Sequence, residues 1–379
     1  MERVRADVVV IGGGITGLAT ALNLARRSVG RVVVVERGYL GAGSTFKCAG
    51  GIRASFSSEE HVVLMKRSIE LWGELSKELG FYYERGGYVW LLTREEQLET
   101  FKELMSFHNS LGLPTRLLDP DELGEIVPSL DTSRVVGALY DSLAGKASPF
   151  EALHSMYLEA RMLDVEFLTH TEAHRLVVEE GSVKGVETNK GEIAANVVVV
   201  ATGYGTRKLL ETAGIFVPLE NVPHHALITE PYAETFKPLL VDVSTGAYLV
   251  QVKYGNFLMG VEVEEEPGAE PTPRADFIPK VLRVWSNWLP WLPNTVVLRY
   301  WTGYYVMTPD KHPVIGPTGV EGLYVAAGFS GHGFMMAPVV AEELTNWILE
   351  GKPRTEQASR LTLSRFAEGR LIHEKIVIG

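Results

Sequence analysis

Short unbroken apolar runs separated by glycine turns mark the start of the chain, while aromatic and β-branched positions crowd its second half. Val8-Val9-Val10-Ile11 and Val32-Val33-Val34-Val35 are short and lack the in-out alternation of a half-exposed strand, so they read as parallel strands buried on both faces. The opening is strand (Asp7 to Ile11), glycine turn, helix (Gly14 to Arg27), strand (Arg31 to Glu36). Asp119 to Ile126 reads as a short helix closed by Pro128. Pro149 to Met162 reads as a helix with Ser148 at its N-cap and proline at its first position. Strands follow at Glu166 to Leu168, Arg175 to Glu179, Val183 to Thr188 and Val197 to Ala201, with Glu180-Gly181-Ser182 as a hairpin turn.

Between Pro223 and Thr308 the pattern changes to one of a mostly antiparallel sheet. Its strands are expected at Ala226 to Thr229, Ala247 to Val252, Phe257 to Val263 and Val296 to Met307, with one helix at Phe277 to Trp288. The chain then returns to an apolar strand, Leu323 to Ala327, a glycine-rich turn and a helix from Met335 to Leu349 stopped by Gly351. The expected fold is α/β plus α+β: a Rossmann-type nucleotide-binding domain (1–80, 142–217 and 308–379) interleaved with a mostly antiparallel-sheet substrate domain (81–141 and 218–307).

Composition narrows the function. A net charge of −11 speaks against nucleic acid or anionic lipid as a main partner, although Lys66 and Arg67 could form a local contact surface. Cys48 is the only cysteine, which excludes an intrachain disulfide or a multi-cysteine metal site, and no metal is expected. No apolar run reaches the length of a spanning helix, and Met1 leads almost directly into the first strand, so a cytoplasmic protein is expected. Three glutamines (Gln97, Gln251, Gln357) against abundant Glu and Arg lean toward a thermophile.

The glycine turn carries the strongest chemical signal. In Gly12-Gly13-Gly14-Ile15-Thr16-Gly17, Gly12 permits the tight turn, Gly14 lets backbone approach a pyrophosphate, and Gly17 lets helix and strand pack closely. Glu36 ends the next strand about twenty residues on, where a carboxylate takes ribose hydroxyls. This fingerprint alone fits NAD or FAD. Two later segments favour FAD: the buried strand running into Ala201-Thr202-Gly203, and Gly328-Phe329-Ser330-Gly331-His332-Gly333, a second glycine turn opening a helix. That second helix N-terminus could face the carbonyl edge of a flavin ring and stabilise its reduced anion.

The chain resembles the D-amino acid oxidase superfamily of flavoproteins, in its sarcosine oxidase branch. The match is carried by Gly43-Ser44-Thr45-Phe46-Lys47-Cys48 with Gly51-Ile52-Arg53, Met65-Lys66-Arg67-Ser68, Tyr248-Leu249-Val250-Gln251, Gly303-Tyr304-Tyr305 with Thr308-Pro309-Asp310, and Gly328 to Pro338. It spans essentially the whole chain. Within the branch, the chain looks most like the catalytic β subunits of archaeal dye-linked L-proline dehydrogenases.

The resemblance implies FAD contacts from Gly12, Gly14, Ile15, Thr16, Gly17, Glu36 and Arg37, and from Gly43, Ser44, Thr45, Gly50 and Gly51. Further contacts are expected at Val177, Ala201, Thr202, Gly203, Gly303, Gly328, Gly331, His332, Gly333, Phe334 and Met335. It implies Arg53 as the anchor for a substrate carboxylate, a fork of donors that matches that group. Tyr248 and Gln251 would line the pocket or simply pack in a sheet, and His332 would hold ring or substrate or brace its own turn. His224 would wall the pocket or serve as an ordinary sheet histidine, and Cys48 reads as a small buried residue.

Three departures from the monomeric oxidases matter. Gly303 stands where they tether FAD through cysteine, so attachment is expected to be noncovalent. Asn256-Phe257-Leu258-Met259-Gly260 lacks their oxygen-activating lysine, and Met335 replaces a lysine after His-Gly-Phe. The expected activity is an FAD-dependent dehydrogenase of a secondary amino acid, L-proline first, passing hydride to flavin N5 and giving Δ1-pyrroline-5-carboxylate. By resemblance, electrons leave to a dye in vitro and a respiratory carrier in the cell, through a second subunit that holds FMN at the interface. A homo-oligomer and a peripheral association with the respiratory chain belong to the same expectation. Two rivals stay open: a sarcosine, dimethylglycine or other N-alkyl amino acid dehydrogenase or oxidase, and a catalytically silent flavin relay subunit.

Overall fold

A computed structural model describes residues 4–374. Its central layer is a six-stranded sheet in the order Glu166–Leu168, Val32–Val35, Val8–Ile11, Val197–Val200, Leu323–Ala327, Val314–Pro317. All neighbours are parallel except the last pair. The valine runs are apolar throughout because both faces are covered. Val8 and Val10 join one core cluster with helices Ile15–Arg26 and Gly333–Glu350, while Val9 and Ile11 join a second with the strands at 173–194.

An eight-stranded sheet draws on two separated stretches of chain. Its order is Val297–Met307, Glu220–Pro231, Asn256–Gly260, Ala247–Gln251, Leu239–Asp242, Tyr88–Leu92, Gly137–Asp141, Thr115–Leu118. Every pair is antiparallel except Leu239–Asp242 with Tyr88–Leu92, which is the seam where the two stretches meet. Alternation sorts its side chains. Val89, Leu91, Leu240 and Leu249 pack against helix Phe277–Ser286, whereas Tyr88, Trp90, Val241 and Tyr248 turn to the other face. That second face roofs the cavity described below.

Local chemistry sets the element ends where it was legible. Ser148 accepts from Glu151 N (3.3 Å) at the start of Pro149–Met162, and Asp119 with Glu122 forms a capping box at Pro120–Ile126. Glu180 and Gly181 both take positive φ, the geometry of a two-residue hairpin turn. Sequence reading passed over two long helices, Glu59–Leu79 and Glu95–Ser110, and the strands at 88–92, 115–118 and 137–141. The first helix carried a signal: Ser58 at its N-cap and Gly80 in the left-handed conformation at its end. The proposed basic surface at Lys66 and Arg67 is spoken for, since Lys66 donates to Leu111 O and Arg67 pairs with Glu342. Among the described residues no helix is long and apolar enough to cross a membrane.

Candidate active site

One cavity of about 630 Å³ runs between the two sheets. At one end lie Gly12, Gly14, Ile15 and Thr16 of the first glycine turn. Gly12 takes φ +115°, and a Cβ there would stand 2.3 Å from Ala201 O, so only glycine lets the first and central strands close at this point. The helix Ile15–Arg26 starts without a side-chain cap from its own Gly14; instead Thr45, from the next glycine segment, accepts from Ile15 N at 3.0 Å. Glu36 accepts from Gly13 N and Gly38 N, both at 2.8 Å, which pins a carboxylate at the cavity wall. Arg37 lies over the Tyr204 ring (4.5 Å), and both border the same end.

The middle of the cavity passes Gly43, Ser44, Thr45, Gly50, Gly51, Ala201, Thr202, Gly203 and Gly303. Gly303 packs under Lys47, whose Cδ would be 3.2 Å from an added Cβ. The second glycine turn brings Gly328, Gly331, His332, Gly333, Phe334 and Met335 to the wall, with helix Gly333–Glu350 starting there. Two helix N-termini, a fixed carboxylate and walls of bare backbone suit a long dinucleotide with a central pyrophosphate.

The far end is aromatic, and a buried guanidinium sits in it. Arg53 follows the strand Gly51–Ile52 and is 5% exposed. Its guanidinium stacks 3.8 Å from the Phe56 ring centre and 4.8 Å from that of Trp90. Nη1 donates to Ser55 O (3.0 Å), and Nη2 lies 3.5 Å from His332 Nε2. Buried Asp141 holds the segment in place by accepting from Ala54 N, Ser55 N, Leu143 N and Ala144 N. Burial lowers the Arg53 pKa, yet an arginine stays charged.

Tyr88, Tyr248 and Tyr305 line the same end, and burial raises all three phenols, Tyr305 to about 12. They are neutral donors, not bases. Gly51 makes room for the Tyr88 hydroxyl and Gly260 for the Tyr248 ring; a Cβ would collide with each. His224 stacks on Tyr305 (3.7 Å between centres), and burial lowers its pKa. His332 is held well below its usual range by burial and then by Arg53, so it is neutral. Cys48 also lines the cavity, but burial pushes its thiol up to about 12, which leaves it an inert neutral group.

Residues 7–347 match the family described as DAO, FAD dependent oxidoreductase. The chain belongs to this family. The sarcosine oxidase β subunit of Rhodobacter capsulatus is 25% identical over 99% of this chain and 92% of that protein. Among solved structures, the L-proline dehydrogenase from P. horikoshii superposes with a TM-score of 0.94 at 39% identity, covering 98% of this chain and all of that one. Glycine oxidase from Geobacillus kaustophilus shares the fold at TM-score 0.87 and 24% identity, covering 96% and 99%.

Three expected site residues of this flavoprotein lie elsewhere. Gln251 points away from the cavity: its side chain accepts from Thr235 N and donates to Ala233 O and Gly255 O, knitting two turns. Val177 stands in Ala173–Glu179 of the four-stranded sheet and is not among the residues that line the cavity. Gly17 sits behind the turn, where a Cβ would meet Gly12 O at 2.0 Å, so it serves helix–strand packing. Tyr88 and Trp90 are site residues that sequence reading missed. Their signal was the run Tyr88-Val89-Trp90-Leu91-Leu92, an aromatic strand left unread.

Behind Arg53 lies a second polar cluster. His61 Nδ1 is 2.7 Å from Glu374 Oε1, Ser58 Oγ is 2.8 Å from His312 Nε2, and Ser57 bonds the other Glu374 oxygen. The nitrogens of His61 and His312 and the Glu374 carboxylate lie within 4.8 Å of one another, a spacing that could hold a metal. The two imidazoles stack, however (4.2 Å, 27°), so their in-plane lone pairs run side by side rather than converging on one ion.

Buried histidines make acid the weak side of this fold. Burial lowers the pKa of His108, His224 and His332, and that of His312 to about 4. A base depressed in the folded state takes up its proton mainly on unfolding, so stability is present above the unfolded value near 6.5 and is lost as pH falls toward 4. The melting temperature should therefore drop as pH is lowered from 7 to 4.5, and His312→Asn should make that slope shallower. A melting temperature flat across this window would contradict the assignment.

Proposed function

We propose that this flavoprotein dehydrogenates a secondary amino acid, L-proline first, to Δ1-pyrroline-5-carboxylate. The observation that carries the reading is Arg53, a cation buried among Phe56, Trp90 and three tyrosines at one end of the FAD cavity. A carboxylate is the anion that a guanidinium fork fits best, and the aromatic walls leave an apolar space for a compact ring. The likeness to the P. horikoshii L-proline dehydrogenase supports proline among such substrates.

The chain's own residues have separable tasks. Arg53 would bind the carboxylate, and its charge would lower the pKa of the nearby substrate amine, favouring the neutral form with its lone pair available. Protonated Tyr88, Tyr248 and Tyr305 would donate hydrogen bonds while their rings exclude water. Bound FAD would supply the two-electron acceptor for hydride lost from Cδ, the ring carbon beside nitrogen that does not bear the carboxylate. Gly303 offers no side chain for a tether, so FAD is held noncovalently in this reading.

We assign the electrons to an acceptor other than oxygen, a respiratory carrier or a partner subunit, because the strand Asn256–Gly260 has no lysine. One observation favours a second reading, an oxidase: Lys47 lines the cavity and crosses Gly303, and a cation near a flavin promotes reaction with oxygen. Anaerobic mixing tests both. L-proline should bleach the flavin, air should restore its colour slowly, and a dye should restore it quickly. Faster bleaching by sarcosine makes the substrate an N-methyl amino acid. Bleaching by no amine makes the chain a relay, and peroxide formed as fast as dye turnover makes it an oxidase.

A further inference from the structure

Two buried imidazole nitrogens, His61 Nε2 and His332 Nδ1, have no hydrogen-bond partner among the described residues. Their rings meet edge to face with centres 5.5 Å apart. Hydrogen-bond logic fixes what each nitrogen carries. The Glu374 carboxylate is buried, and hydrogen bonds from His61 and Ser57 hold it ionised against the pull of burial. An ionised carboxylate only accepts, so His61 Nδ1 carries a proton, and in the neutral ring its Nε2 is a bare acceptor. At the other end a guanidinium only donates, so His332 Nε2 accepts from Arg53 and its Nδ1 carries a proton. With His61 neutral, the two unpartnered nitrogens are a donor and an acceptor on neighbouring rings.

We propose that Glu374, His61 and His332 form one hydrogen-bonded chain, closed by a small ring rotation or a single bridging water, that positions Arg53 for the substrate carboxylate. Glu374 and His61 are positioning residues in this account; they touch neither substrate nor cofactor. The proposal rests on Arg53 as the carboxylate anchor. The surroundings fit it. Phe56 stacks on His61 (4.5 Å) and meets His332 edge-on (4.8 Å) while also carrying the Arg53 guanidinium, so one ring packs against three members of the chain. Glu374 also acts on Arg53 as a negative charge, alongside Asp141. A segment more than 300 residues away in sequence thereby sets the plane of the anchoring group.

The test uses the FAD-loaded protein with His61→Phe, which keeps a ring between Phe56 and His312 but removes both nitrogens, and with Glu374→Gln. The probes are L-proline, pyrrolidine, and tetrahydro-2-furoate, the ring-oxygen analogue of proline, titrated by calorimetry. Each variant should raise KM for proline and Kd for the furoate roughly three- to tenfold, the effect of one ordinary hydrogen bond. The kcat for proline and kcat/KM for pyrrolidine should stay within about twofold, a change too small to represent a lost hydrogen bond. In an Arg53→Ala background His61→Phe should have no further effect on proline turnover. If His61→Phe does not accumulate, His61→Gln is read the same way.

Unchanged furoate affinity, equal losses for proline and pyrrolidine, or an undiminished effect in the Arg53→Ala background would each overturn the proposal. So would a stoichiometric divalent metal in the purified protein, because it would occupy His61 Nδ1. Equal loss of proline and pyrrolidine turnover in Arg53→Ala alone overturns the anchor instead, so the two failures are distinguishable.

Discussion

Arg53→Ala should lower kcat/KM for L-proline by roughly ten- to 150-fold, because a charge-assisted hydrogen bond contributes about 1.5–3 kcal/mol. Among the described residues, the other lysines and arginines lining the cavity are Arg37, Lys47 and Lys311. Met335 stands where the oxidases keep a second lysine, and its side chain is buried and apolar. Tyr88, Tyr248 and Tyr305 are held in the neutral form, so they add dipoles but no charge. Arg53→Lys keeps the charge but loses the planar fork stacked on Phe56 and Trp90, so it should fall between wild type and alanine.

The decisive comparison is pyrrolidine, the same ring without the carboxylate. Its turnover should lose far less than that of proline in Arg53→Ala, while FAD content stays at wild-type level, since in this reading Gly12, Gly14 and Glu36 carry the nucleotide. Equal losses for the two amines would show that Arg53 supports the fold. That outcome has a physical basis to be weighed: Asp141 and Trp90 both bond the segment that carries Arg53, and a buried anion with its cation removed is costly. The ratio between the two amines, not the absolute rate, therefore carries the inference.

The nucleotide end was legible in sequence because its constraints are local. A strand, a glycine turn and a helix follow one another within twenty residues, and the acid arrives at the end of the next strand. Glu36 could be placed by counting, and the structure puts it on Gly13 N and Gly38 N. The substrate end was legible only in part, because it is assembled from afar. Arg53 was found through a motif, but Tyr88 and Trp90 reach it across a parallel pairing between Tyr88–Leu92 and Leu239–Asp242, which no local pattern announces. Gln251 shows the converse. The motif leaves it open as a pocket residue beside Tyr248 or a packing one, but three positions along a strand is an odd number, so the two side chains leave opposite faces. Tyr248 faces the cavity and Gln251 faces the turns behind it.

Gly12→Ala should abolish FAD binding and destabilise the chain, whereas Gly124→Ala should do neither. At Gly12 two independent penalties coincide. Its φ of +115° is a conformation that side-chain-bearing residues rarely adopt, and an added Cβ would stand 2.3 Å from Ala201 O and 2.8 Å from Ala201 C. Neither obstacle can yield cheaply, since Ala201 N is bonded to Ile11 O and Gly12 N to Val35 O, both at 2.8 Å, in the middle of the central sheet. Strain of about 1–3 kcal/mol for the backbone and a similar amount for the overlap would follow if the turn held its place. The strain is relieved if the turn moves, but the turn is the wall that must accept the pyrophosphate, and Gly17 packs against its carbonyl with no room to spare. Relief therefore comes at the expense of the cofactor site. Gly124, in helix Pro120–Ile126, has nothing within 4 Å of an added Cβ and no positive φ, so alanine there should be neutral or slightly stabilising. Purified Gly12→Ala should be colourless with a lowered melting temperature, and Gly124→Ala yellow with melting unchanged or raised. Full flavin content and wild-type melting in Gly12→Ala would show that this turn neither bounds the FAD site nor carries the strain assigned to it.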